Sequence, residues 1–139
     1  MIKDYLYNQI NSSLEKLACE NDVAIVNADD LSTNVPDTVL VNTRVIIMTR
    51  QFDINVDYAY RLAHEISHIL YGDHEAQAVY QFSEFGKRGE ELLAHKNAIR
   101  LLMSIELPSN PLKFISYYRV PSWIESYVIQ TYNEFNILE

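Results

Sequence analysis

His64-Glu65-Ile66-Ser67-His68 is the stretch of sequence around which the chain is organised. It has the pattern His-Glu-x-x-His and lies in a run with helical spacing of apolar residues, from Asp57 to Leu70. Residues four apart on an α-helix lie one turn apart on the same face, so both imidazoles can reach one metal ion. This pattern is typical of a zinc site in which His64 and His68 are ligands and Glu65 is the general base.

The residues around the motif indicate how its helix packs. On a helical wheel, His68, Asp57 and Arg61 lie beside His64. The opposite arc is apolar and consists of Tyr58, Ala59, Leu62, Ala63, Ile66, Ile69 and Leu70. We therefore expect one side of the helix to pack into the core and the other side to present the histidines.

Three short runs before this helix are rich in β-branched residues and predict strands at residues 23–26, 38–41 and 45–49. The last two are joined by a connection of hairpin length. We expect a small antiparallel sheet next to the helix. Its edge could add an extended peptide as a further strand, or the sheet could merely cover the helix.

Periodic apolar residues predict further helices at about 2–20, 90–105, 111–118 and 123–135. The expected fold class is thus α+β: a mainly helical, zincin-like single domain spanning residues 1–139. Its core lies at about 20–105 and its C-terminal helices at about 110–136. Between the motif and the third helix, Gly72 suits a left-handed helix end. We expect residues 75–85 to form a helical or irregular connection. We expect His74 to be an ordinary loop histidine, with a supporting role near the metal as the alternative.

Composition and charge exclude several classes of function. The net charge is −8 with no run of Lys or Arg, which argues against direct binding to nucleic acid. No apolar stretch approaches a membrane span, and the N-terminus lacks the long apolar core of a signal peptide. A single cysteine, Cys19, cannot form an internal disulfide. We expect a cytoplasmic protein with no membrane association.

Glu91 is the predicted third metal ligand. It begins an otherwise apolar stripe on the third helix, made of Glu91, Ala94, His95, Ala98, Leu102 and Ile105. A carboxylate that faces inward is costly unless it is paired or bound to a metal. The alternative is that Glu91 is only a favourable charge at a helix N-terminus, a role that Glu90 could fill equally well.

His95, one turn after Glu91, has several open roles. It is the rival third ligand, but we favour a supporting group or a hydrogen-bond donor to a developing oxyanion, and we place it with Glu65 among the catalytic residues. A nearby tyrosine could supply that donor instead. The remaining alternative is a histidine that fills space in the core.

With Glu91-Leu92-Leu93-Ala94 and Asn97-Ala98-Ile99-Arg100-Leu101-Leu102-Met103 following the histidine motif, the sequence resembles the ImmA/IrrE-type zinc metallopeptidases. The family pattern is His-Glu-x-x-His, Glu-x-x-Ala, an aromatic-Ala pair and Leu-Leu-Met-Pro. Here Asn97 replaces the aromatic residue, Ser104 the proline and Ser67 a common glycine. The resemblance covers residues 20–105.

The resemblance implies a fold of helices around a small sheet. It also implies a zinc-dependent endopeptidase of phage or prophage origin that cleaves a helix-turn-helix repressor. Two other functions stay open. One is a non-catalytic, antirepressor-like binding module with a vestigial or structural zinc site, and the other is a zinc hydrolase that acts on a small molecule. Structural zinc sites usually have four protein ligands, often including cysteine. Cys19 is far from the motif in sequence, which favours an open catalytic site.

Overall fold

The computed structural model describes residues 2–72, 78–83 and 88–137. The described part of the chain is an α+β domain of five α-helices, one short 3₁₀ turn and one mixed sheet of four strands. In chain order, the elements are α1 (Ile2–Glu20), β1 (Ala24–Asn27), β2 (Thr38–Leu40), β3 (Val45–Met48), α2 (Tyr58–Tyr71), β4 (Val79–Gln81), α3 (Gly89–Ile105), α4 (Pro111–Tyr118), the 3₁₀ turn (Ser122–Ile124) and α5 (Glu125–Ile137). Of the described helices, none has the length and apolar character needed to cross a membrane.

Helix α2 carries the histidine motif and lies at the centre of the packing. Asp57 caps its N-terminus by accepting a hydrogen bond from the Ala59 amide at 3.0 Å. The helix contacts α1, α3, α4, β2 and β3, and every residue from 59 to 69 is buried. The side of α2 that presents the histidines is therefore covered as well, because α3 packs against the helix.

Helix α3 packs on α2 through the stripe predicted from its sequence. Ala94, Ala98 and Leu102 are buried, and their spacing places them on one face of α3. Alanine side chains at two successive turns allow two helix axes to approach closely. The extensive contact between α2 and α3 sets the position of Glu91 relative to the motif.

The strand order is β1-β3-β2-β4, with β1 parallel to β3 and both β3 and β4 antiparallel to β2. The three predicted strands are confirmed, but the prediction of an antiparallel sheet is wrong for β1. The connection from β1 to β2 passes over one strand position, so that β3, the second strand of the hairpin, pairs with β1 in the same direction.

The fourth strand, β4, was not predicted. Its three residues are too few to show an alternating pattern, and the surrounding segment was interpreted as a helical or irregular connection. This strand brings Tyr80 and Phe82 beside the histidine motif, and both side chains are buried. His74 and residues 84–87 of the same connection lie outside the described residues.

Gly72 ends α2, but it does not adopt the left-handed conformation expected from the sequence. Its φ is −86° and its ψ is 172°, which is an extended conformation open to any residue. Glycine is required there because of space. A Cβ atom at Gly72 would lie 2.5 Å from the carbonyl oxygen of His68 and 2.7 Å from Oε2 of Glu90. The absent side chain therefore lets α2 and α3 meet at this point.

We expect Gly72→Ala to lower the free energy of unfolding by about 1–3 kcal/mol, because the added methyl group overlaps backbone atoms. If only backbone entropy mattered, the same change would stabilise the protein by about 0.4–1 kcal/mol. Urea unfolding distinguishes these signs. Gly89→Ala is the comparison: Gly89 has φ 54° with no atom near its missing side chain, so backbone strain alone should cost about 1–2 kcal/mol.

A buried ion pair fixes α2 against the sheet. Nη1 of Arg61 lies 2.7 Å from Oδ2 of Asp37, and the side chains are 5% and 0% exposed. The other carboxylate oxygen of Asp37 accepts from the Thr49 amide at 2.8 Å, just after β3. The rings of Phe52 and Tyr58 pack against the guanidinium at 5.7 and 5.9 Å. These contacts hold one side of α2 at a fixed rotation.

We expect Arg61→Met to reduce the free energy of unfolding by about 3–5 kcal/mol, because Asp37 would keep a buried charge without its partner. The matched control is Arg100→Met, which removes an exposed pair with Glu134 at 3.3 Å. That change should cost no more than about 1 kcal/mol. Equal losses in urea unfolding of the two variants would contradict the role given to the buried pair.

Candidate metal centre

Two neighbouring helices bring the predicted ligands together. His64 and His68 project from α2, and Glu91 projects from the first turn of α3. Nε2 of His64 lies 3.3 Å from Oε2 of Glu91, and Nε2 of His68 lies 3.0 Å from Oε1 of the same carboxylate. The Glu91 carboxylate thus contacts both imidazoles of the sequence prediction, one with each oxygen. By the mutual separation of one ligand atom per residue, His64 groups with Glu65 and His68, and also with Glu91 and His95.

The two contacts of Glu91 are close in length to the ligand separations of a zinc site, and the atoms involved are chemically suitable ligands. In a tetrahedral zinc site with bonds of about 2.0–2.1 Å, ligand atoms are about 3.3–3.4 Å apart. Nε2 of His64, Nε2 of His68 and Oε2 of Glu91 are also buried without hydrogen bonds in the described part of the chain. Buried polar atoms normally have partners, so a cluster of atoms that lack them, all able to donate lone pairs, fits a metal site.

The pKa shifts of His64, His68 and Glu91 indicate which of these clustered groups carries a charge. Burial acts to lower the pKa of His64, but its hydrogen bond to Glu65 and the nearby Glu91 carboxylate outweigh burial and raise the pKa to about 9. Burial acts to raise the pKa of Glu91, but the two histidines lower it to about 2. Burial lowers the pKa of His68. The carboxylate is therefore ionised and draws positive charge, whether a proton or a metal ion, to the space between the rings.

Glu65 contacts the ring of its own neighbour. Oε1 of Glu65 lies 2.9 Å from Nδ1 of His64, which leaves Nε2 of that histidine pointing towards Glu91. A carboxylate that accepts from the second ring nitrogen is a common support for a metal-binding histidine. Oε2 of Glu65 is buried and has no hydrogen bond among the described residues. Burial raises the pKa of Glu65 to about 7, partly opposed by His64.

His95 lies against His64, with ring centroids 4.2 Å apart. Ligand atoms of His64, Glu91 and His95 lie within 4.8 Å of one another, so distance alone keeps the alternatives of ligand and hydrogen-bond donor open. The third possibility, a space-filling core residue, does not account for a hydrogen bond between Nδ1 and the Tyr60 hydroxyl at 2.9 Å. Burial, followed by the charge of His64, lowers the pKa of His95 to about 2, so the ring is neutral.

Several aromatic residues that complete the walls were missed in the sequence. Tyr80 stacks on His68 with centroids 4.1 Å apart, and Phe82 meets His64 edge-on at 5.0 Å. Trp123 meets His95 edge-on at 5.3 Å. No local pattern marks these three. Tyr60 was detectable, because it lies four residues before His64 and therefore on the same face of α2.

The site is deeply buried. His64, Glu65, His68 and His95 are each at most 2% exposed, whereas the Glu91 side chain is 21% exposed. Among the described residues of the site, Glu91 is thus the member that solvent reaches.

No protein-family model, curated protein or solved structure matches the chain. The chemistry of the site is therefore inferred from its own residues and their geometry.

We expect the protein to bind one Zn²⁺ per chain and to gain about 2.7 kcal/mol in stability when free zinc is a hundredfold above Kd. Glu91→Gln should weaken zinc binding more than about 100-fold, because loss of a ligand exceeds the 10–100-fold effect of supporting residues. Titration calorimetry measures the affinity.

The matched control is Glu90→Gln, which removes the same charge from the neighbouring position. The charge of Glu90 is the smallest of the influences on the pKa of His68, so its loss should change zinc affinity less than about threefold. Equal losses in both variants would mean that general acidity, and not coordination by Glu91, holds the ion.

Proposed function

We propose that the protein is a zinc-dependent endopeptidase. The observation that carries this proposal is the position of the Glu91 carboxylate, 3.0 and 3.3 Å from the two motif imidazoles. Three protein ligands that leave one position open are typical of catalytic zinc sites, whereas structural sites usually have four.

Each residue of the site has a separate role in the proposed hydrolysis. His64, His68 and Glu91 hold the ion in place. Zn²⁺ bound there supplies Lewis-acid polarisation of the scissile carbonyl and a lowered pKa for the attacking water. Glu65 accepts the proton of that water at Oε2, the oxygen that His64 does not occupy, and passes it to the leaving amine. His95 donates a hydrogen bond to the oxyanion of the peptide carbonyl.

The proposed substrate is a helix-turn-helix repressor of a phage or mobile element, cleaved in the cytoplasm. This part of the proposal is supported by the likeness of the motifs at residues 64–68, 91–94 and 97–103 to the ImmA/IrrE-type peptidases. The net charge of −8 is compatible with a protein substrate and unfavourable for direct contact with nucleic acid.

One observation favours a second candidate, an antirepressor-like binding module with a structural or vestigial zinc site. The two histidines and Glu65 are almost completely buried, which suits an ion that stabilises the fold. The first proposal is preferred because Glu65 adds a buried carboxylate oxygen with no hydrogen bond among the described residues, a feature that a structural site does not need.

The two candidates are separated by incubating the zinc-loaded protein with a co-encoded helix-turn-helix repressor and analysing the products by mass spectrometry. Fragments cut at a defined peptide bond support the peptidase. A stable complex without fragments in the presence of bound zinc supports the binding module and overturns the peptidase.

Variants of the motif test the roles of its residues. Glu65→Gln should keep zinc affinity within about tenfold, because the amide oxygen can still support His64, but should lower kcat by about 10²–10⁴ because the proton acceptor is lost. His64→Ala should lose both zinc and cleavage. Cleavage by Glu65→Gln at the wild-type rate would exclude Glu65 as the general base.

A further inference from the structure

Tyr60 and His95 form a buried hydrogen-bonded pair that the motif chemistry leaves unexplained. Tyr60 lies on α2, one turn before His64, and is 0% exposed, while His95 lies on α3, one turn after Glu91, and is 1% exposed. The hydroxyl of Tyr60 is 2.9 Å from Nδ1 of His95. Each of the two helices that supply ligands thus supplies one member of this pair.

The direction of this hydrogen bond follows from the number of protons available. The Tyr60 hydroxyl has one proton, and among the described residues its hydrogen-bond partner is Nδ1 of His95. If Nδ1 donated, the hydroxyl proton would stay buried without an acceptor, which costs about 1–3 kcal/mol. A hydroxyl that donates places the ring proton on Nε2 instead, where the Ser83 backbone is near enough to act as an acceptor. The hydroxyl therefore donates, and Nδ1 accepts.

The position of the imidazole proton follows from this direction. A neutral imidazole carries one proton, so the ring that accepts at Nδ1 has its N–H at Nε2. The Ser83 backbone lies near enough to favour a proton on this ring, yet no hydrogen bond of ordinary geometry to Nε2 forms among the described residues. A nitrogen that carries a proton has no lone pair for a metal ion.

We propose that Tyr60 is a positioning residue that fixes His95 as the Nε2–H tautomer, so that His95 is a hydrogen-bond donor beside the metal centre and not a fourth ligand. The ring lies 4.2 Å from that of His64, and its ligand atom lies within 4.8 Å of those of His64 and Glu91. The ring is therefore close enough to His64 and Glu91 for its N–H to donate to a group bound beside them. That this group is a peptide carbonyl oxygen rests on the proposed peptidase function.

Nuclear magnetic resonance of the intact protein with ¹⁵N-labelled histidines tests the tautomer without any substitution. Long-range ¹H–¹⁵N correlations identify which nitrogen of each ring is protonated. We expect His95 to carry its proton on Nε2 before and after addition of Zn²⁺, while Nε2 of His64 and His68 becomes metal-bound. An unprotonated Nε2 of His95 that shifts with zinc would make it a ligand and overturn the inference. Neither result depends on cleavage, so the peptidase proposal is tested separately.

Variants test whether Tyr60 acts through His95. Tyr60→Phe removes the donor, so Nδ1 of His95 should lose the chemical shift of a hydrogen-bonded acceptor. Zinc affinity should change less than about twofold, and kcat should fall about tenfold, less than the 10²–10³ that loss of an oxyanion donor costs. In a protein that already carries His95→Ala, Tyr60→Phe should lower kcat no further.

The matched control is Tyr118→Phe. The ring of Tyr118 also contacts Tyr60, with centroids 6.5 Å apart, but no hydrogen bond joins it to His95 among the described residues. This variant should leave the ¹⁵N shifts of His95 unchanged. Unchanged shifts in Tyr60→Phe as well would overturn the positioning role.

Discussion

The structure of this chain depends on one polar contact across two helices, the Glu91 carboxylate of α3 facing two imidazoles of α2. Transfer of a carboxylate and two rings from water to the interior is unfavourable unless each finds a partner. Here the helix interface buries groups of opposite charge preference against one another, and three of the polar atoms at this contact have no hydrogen bond among the described residues. The alanines of α3 make this contact geometrically accessible, since a larger side chain at Ala94 or Ala98 would hold the helices apart.

Burial of this contact strengthens the attraction for a cation but also restricts access to the site. It removes water, so the attraction between Glu91 and a cation is stronger than at the surface, and it makes the pKa of each site group depend on its neighbours. It also restricts approach, because Glu91 is the exposed member of the site. Within the described residues, solvent reaches the site on the Glu91 side, between the start of α3 and the end of α2.

The sequence predicted which polar residues of α2 and α3 face one another better than it predicted their surroundings, for a physical reason. Helical periodicity relates residues within one element, so His64 and His68 were placed on one face of α2, and an inward Glu91 was recognised on α3. The same periodicity places Tyr60 on the histidine face of α2, but this residue was not singled out from the sequence. Tertiary packing brings Tyr80, Phe82 and Trp123 to the site, and the periodicity of a single helix or strand does not predict such packing. The parallel pairing of β1 with β3 likewise depends on the route of the connection between β1 and β2. No residue pattern within these short strands indicates that route.

Helix α2 is held by charged groups on two sides, and these contacts fix the positions of its two histidines. Arg61 is paired with Asp37 next to the sheet, and His64, three residues later, is paired with Glu91 on α3. A rotation of α2 that improved one contact would break the other, and each breakage leaves a buried polar group without its partner. The rotation of the helix is thus determined by polar contacts and not only by apolar packing, which tolerates small changes more easily. A tightly determined helix can hold two imidazoles within tenths of an ångström, the accuracy that ligand geometry around a zinc ion requires.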